Sequence, residues 1–132
     1  DAHPDFFFFF SYNPGYQSHL KDLKTSTRQR FVAIEFDYPK PSAEAEIICH
    51  ETGLDSDRSG GLALVGEKIR NLQGHGFDDG VSTRLLIYAA ELMMAGLDPL
   101  RACEVSIVKA VSDDESVQSG LQEIASAVFP VS

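Results

Sequence analysis

Four cations crowd one short stretch of an otherwise acidic chain. Lys21, Lys24, Arg28 and Arg30 fall within residues 19–30 against a single acid, Asp22. With histidines neutral the stretch carries +3, so the chain's net charge of −9 leaves −12 on everything else. Arginine suits phosphate because its guanidinium is planar, permanently charged and able to bond bidentately. Open α/β sheets receive anionic ligands beyond the carboxyl ends of their strands, where such a connector would lie. The same charges would also serve simply to solvate an exposed loop. Asn13, ahead of Pro14-Gly15, can donate to a phosphate oxygen and accept from a water, or merely form the turn. Arg84, in Gly80-Val81-Ser82-Thr83-Arg84-Leu85-Leu86, falls in the first turn of an expected helix. There the helix dipole disfavours a cation by a few tenths of a kcal/mol up to about 1. A bound anion would remove that cost, and so would an ion pair with Asp78 or Asp79.

Other groupings carry less chemistry. Cys49-His50-Glu51, with His75 as a further donor, offers metal ligands. Adjacent helical residues do not face one another, however, and no Cys-x-x-Cys or His-x-x-x-His spacing supports zinc. A surface histidine beside a buried thiol is the plainer reading. Cys103, Met93, Met94 and Tyr88 read as core packing. The four histidines fall into no serine–histidine–acid order. The acidic balance argues against non-specific nucleic-acid or anionic-membrane binding. No apolar run, residues 6–10 included, approaches the roughly 20 residues a membrane helix needs. Two cysteines are too few for a disulfide scaffold, which makes a reducing cytoplasm the default compartment.

These side chains need elements to hold them, and the chain supplies two unlike parts that meet near Pro39. In the first, the run 6–10 shows no alternation, as expected of a strand buried on both faces. Phe31-Val32-Ala33-Ile34-Glu35-Phe36 is β-branched and aromatic and predicts a second strand. The connector between them, with a helical turn or two over 16–23, is long enough for a parallel crossover. From Pro39 the pattern turns helical. Ser42 would cap a helix reaching Gly53, and a second would run from near Asp57 to Leu72 with Leu62, Val65, Ile69 and Leu72 on one face. Gly60-Gly61 would let its start fray, each glycine costing about 1 kcal/mol. Gly74-His75-Gly76 would stop it. Ser82 would cap a third helix carrying Leu85, Leu86, Tyr88, Ala89, Leu92 and Met93, ended by Gly96. Asp98-Pro99 opens a fourth through Val111, and Asp113-Asp114-Glu115 a fifth to about Val128.

A family resemblance runs through the same residues. Phe10-Ser11-Tyr12-Asn13-Pro14-Gly15-Tyr16-Gln17, Leu20-Lys21-Asp22-Leu23-Lys24 and Ser26-Thr27-Arg28-Gln29-Arg30-Phe31 resemble the CbbQ/NirQ/NorQ/GvpN group of MoxR-type AAA+ ATPases. So do Ala43-Glu44-Ala45-Glu46-Ile47, His50-Glu51-Thr52-Gly53, Gly80 through Ala90, and Ser112-Asp113-Asp114. The resemblance implies an α/β fragment over residues 1–38, the last strands of a P-loop AAA+ core, followed by an all-α helical lid over 39–132. It also implies roles. Asn13 matches the first sensor beside the γ-phosphate, and Arg30 matches the arginine finger offered to a neighbouring subunit, with Arg28 as the lesser candidate. Arg84 matches the second sensor, reaching from the lid to the nucleotide phosphates.

By the same resemblance the parent protein would bind ATP and Mg²⁺, assemble as a homo-oligomeric ring, a hexamer, and work with a von Willebrand A-domain partner. Its client would be a metalloenzyme such as a nitric oxide reductase or rubisco. Departures are plain as well. The sequence holds no Gly-x-x-x-x-Gly-Lys-Ser/Thr loop and no hydrophobic strand ending in paired acids. It opens on Asp1 and reads as a piece of something longer, expected to be inactive in ATP hydrolysis and to bind no nucleotide by itself. The rival expectation is a stand-alone helical protein-interaction module without nucleotide chemistry.

Overall fold

A computed structural model describes residues 3–5, 9, 37–72 and 80–130. The chain divides into two units, Asp1–Asp37 and Tyr38–Ser132. In the first, a short turn at Pro4-Asp5 has the Asp5 amide donating to His3 Nδ1 at 3.1 Å. The strands expected over 6–10 and 31–36, and the connector between them, lie outside the described residues apart from Phe9. That residue is exposed and in no strand, so the two-sided burial expected of its run is not found there.

Everything described in the second unit is helix or connection. Helix α1 spans Pro41–Thr52, α2 Ser56–Arg70 and α3 Thr83–Met94. Helix α4, Pro99–Cys103, continues through a π turn, Glu104–Val108, into a last short piece α5, Lys109–Val111, and α6 spans Glu115–Val128. Local chemistry accounts for most of the boundaries. Pro41 opens α1 one residue ahead of the expected cap at Ser42, because its fixed φ and missing N–H suit the first helical position. Gly53 closes α1 at φ 81°, its amide donating to the Cys49 carbonyl at 2.8 Å. Asp55, Ser82, Asp98 and Asp114 each accept backbone N–H groups from the first turn they precede.

The core is one cluster drawn from all the long helices. Leu62, Val65 and Ile69 of α2 are buried as their spacing predicts, while Leu72 lies beyond the helix end and is exposed. On α3 the buried positions are Leu86, Ala89, Ala90 and Met93. Tyr88 and Met94, expected inside, are about half exposed; two steps from Leu86 and one from Met93, they point off the buried stripe. Helix α6 packs against α2 and α4 and buries its Leu121 and Ala125. Burial, reinforced by the Asp98 charge, pushes the Cys103 thiol up to about 12, so it packs as a small apolar group. Cys49 is only half-buried.

Two departures reflect packing that acts at long range. The Gly60-Gly61 pair does not fray α2. A Cβ on Gly61 would stand 2.6 Å from Phe129 Cζ, so the glycine admits the aromatic ring that follows α6. The expected fourth helix does reach Val111 but contains the π turn. That wide turn slips the register so that Ile107 and Val108, as well as Ala102 and Cys103, are buried.

Candidate functional site

Helix α1 places a carboxylate where its apolar stripe would place a leucine. Glu44 precedes the buried Ile48 by one helical turn and is itself fully buried. A buried carboxylate requires a partner, and Arg70, the last residue of α2, provides one. Arg70 Nη1 and Nη2 donate to Glu44 Oε1 and Oε2, both at 2.8 Å, a bidentate pair whose side chains are 8% and 0% exposed. Arg70 Nε donates to the Val81 carbonyl at 2.8 Å. The Tyr38 ring lies beneath the same guanidinium, 3.9 Å from its carbon to the ring centroid. Finally, Thr83 Oγ1 donates to Glu44 Oε2 at 2.6 Å.

One guanidinium and one carboxylate therefore join the body of α1, the end of α2 and the segment that launches α3. The residues just before Arg84 are all held. Val81 is buried and bonded through its carbonyl, Ser82 caps the helix by accepting from the Leu85 amide at 3.4 Å, and Thr83 is tied to Glu44. Arg84 itself is exposed and makes no ion pair among the described residues. No acid occupies the first turn of α3 to offset its charge. The result is a cation at the positive end of a helix, on a backbone fixed from behind. Such an arrangement suits an anion able to accept from both the guanidinium and the helix terminus.

Of the site residues expected from sequence, only Arg84 can be placed. Asn13, Arg28 and Arg30 lie outside the described residues, as do Lys21, Lys24, Asp78, Asp79 and His75. Among the described residues no three His, Cys, Asp or Glu side chains gather as metal ligands. No described helix is long and apolar enough to cross a membrane. The Glu44–Arg70–Thr83 network was not anticipated. Its signal was a glutamate on the core stripe of an amphipathic helix, where an unpaired acid is rarely tolerated.

Comparison with known proteins agrees with the helical unit and extends beyond it. The family model for the CbbQ/NirQ/NorQ C-terminal region matches residues 44–128. Protein CbbQ of Hydrogenophilus thermoluteolus is 50% identical over 129 residues, covering 98% of this chain and 48% of the relative. Protein NorQ of Paracoccus denitrificans is likewise 50% identical over 98% of this chain and 48% of its own length. Denitrification regulatory protein NirQ of Pseudomonas aeruginosa is 46% identical, with 93% of this chain and 47% of the relative aligned. The chain thus spans about half the length of the curated relatives it matches.

Proposed function

The chain belongs to the CbbQ/NirQ/NorQ family, and from that premise we propose that it is the C-terminal part of an ATP-hydrolysing, chaperone-like AAA+ ATPase. In this reading α1–α6 form the helical lid, and residues 1–38 supply the last strands of the nucleotide-binding core. ATP with Mg²⁺, when bound, provides the phosphoanhydride whose hydrolysis drives remodelling. Arg84 meets the phosphates of its own subunit as the second sensor. Asn13 orients the attacking water at the γ-phosphate, and Arg30, or Arg28 in its place, reaches the nucleotide of the next subunit. Catalysis then rests on positioned cations where charge develops, and an arginine given in trans makes turnover depend on ring assembly. The assembly is a cytoplasmic homo-oligomeric ring that acts, with a von Willebrand A-domain partner, on a metalloenzyme client of the nitric oxide reductase or rubisco type.

The observation that carries this reading is the state of Arg84. It is exposed, has no ion-pair partner among the described residues, and sits at a helix start that disfavours it without an anion. The test is Arg84→Ala in the protein as expressed from its native gene, with Mg-ATP turnover as the readout. The expected result is a fall in kcat/KM of about tenfold or more, with Arg84→Lys recovering only part, since lysine cannot bond bidentately. Unchanged turnover in the alanine variant would favour the helical interaction module.

A further inference from the structure

We propose that Glu44, acting through Thr83, is a positioning residue for Arg84: the buried Glu44–Arg70 pair sets the orientation of the phosphate-binding arginine and does more than hold three helices together. The inference rests on the reading of Arg84 given above.

Geometry separates the two duties of the network. The bidentate contacts between Arg70 and Glu44 join α1 to α2, and they would exist whether or not α3 began where it does. Two further bonds do nothing for that junction. Arg70 Nε bonds the Val81 carbonyl, and Glu44 Oε2 accepts from Thr83 Oγ1 at 2.6 Å. They fall on either side of the cap residue Ser82 and end at the residue immediately before Arg84. A threonine hydroxyl that donates to a fully buried carboxylate fixes its own rotamer and the backbone it springs from. The next Cα–Cβ vector, that of Arg84, is thereby aimed by a group buried on another helix. An exposed arginine with no ion pair among the described residues would otherwise lose several freely rotating torsions on meeting a phosphate, and a fixed base reduces that loss. Misplacement of a binding group by about 1 Å can cost up to about a hundredfold in rate. A loosened base at Thr83 is therefore expected to matter for turnover out of proportion to its effect on folding.

Thr83→Ala tests this directly, because it cuts the tether and leaves Glu44–Arg70 intact. Turnover of Mg-ATP and thermal unfolding are measured together in the protein expressed from its native gene. The expected outcome is a fall in kcat/KM of about tenfold with little change in Tm, and recovery in Thr83→Ser, which restores the hydroxyl. In an Arg84→Ala background the Thr83→Ala change should add nothing, since its effect travels through that side chain. If Arg84→Ala impairs turnover while Thr83→Ala does not, the positioning role is overturned and the reading of Arg84 stands. The positioning role also fails if Thr83→Ala is as damaging without Arg84 as with it. If Arg84→Ala behaves as wild type, the reading of Arg84 fails and takes this inference with it.

Discussion

Two ion pairs of nearly equal length in this helical unit live in opposite surroundings. Glu44 and Arg70 meet at 2.8 Å with side chains 0% and 8% exposed. Glu104 and Arg101 meet at 2.9 Å with side chains 31% and 55% exposed. Distance alone would rank them alike. Their surroundings separate them, because water screens the second pair and is excluded from the first. The buried pair has given up hydration on both ions and recovers it through two mutual hydrogen bonds and three further contacts, to Val81, Thr83 and Tyr38. Such a pair adds little net stability over an apolar replacement, yet it is costly to break and tolerant of only one arrangement. The exposed pair lies within one stretch of helix and constrains nothing beyond it. Of the two, only the buried pair can transmit position from one helix to another.

The largest expected effect comes from breaking the buried pair on one side. Glu44→Ala leaves the Arg70 guanidinium buried without its counter-ion and is expected to lower unfolding stability by about 3–5 kcal/mol. Chemical denaturation of the chain measures this. Replacing both partners together, as Glu44→Leu with Arg70→Met, should recover most of the loss, because no orphaned charge remains. A double variant no better than Glu44→Ala would show that the pair's value is not electrostatic.

A smaller effect is expected at a charged cap, where a carboxylate works on backbone amides in water. The Ser116 hydroxyl, with the Val117 and Ser116 amides, holds the Asp114 carboxyl below the usual carboxylate range. A folded-state pKa lower than the unfolded one means stability that is present above the unfolded value, about 3.9, and lost as pH falls through the folded one. Asp114→Asn keeps a capping oxygen but cannot ionise. Wild type should therefore melt above Asp114→Asn near neutral pH, and the gap should close as the pH drops below about 4. A gap that stays constant with pH would place the difference in shape and not in charge.

The same division between near and far explains what the sequence disclosed. Asp98-Pro99, Ser82, Asp114 and Gly53 act within a turn of where they stand, and each helix boundary they imply is present. Arg84 could be placed in a first turn for that reason. Glu44 and Arg70 are 26 residues apart, and Glu44 and Thr83 are 39 apart, so no local rule pairs them. Gly61 misled in the same way: read locally it weakens a helix, while the ring of Phe129 gives it a purpose only in three dimensions. The π turn at Glu104–Val108 has no sequence signal that was recognised, since its role is to set which residues meet the core. Asn13, Arg28 and Arg30 lie outside the described residues, and their expectation rests on side-chain chemistry together with the family resemblance.

The smallest expected effect falls on the exposed pair and completes the contrast. Glu104 also meets Lys109 at 3.7 Å, and the Arg101 side chain, chiefly by its hydrogen bond, holds the Glu104 carboxyl below its ordinary range. A carboxylate between two cations on a solvated helix is still screened by salt, over about 8 Å at physiological ionic strength and about 3 Å at 1 M. Glu104→Gln should lower Tm only slightly in dilute buffer, and the difference should vanish at about 1 M salt. The loss caused by Glu44→Ala should persist at that salt concentration, because ions do not reach a fully buried carboxylate. Melting both variants across a salt series therefore tests the comparison itself. If the two losses fell in parallel as salt rose, burial would not be what distinguishes the pairs, and the aiming of Arg84 by a dry carboxylate would lose its physical basis.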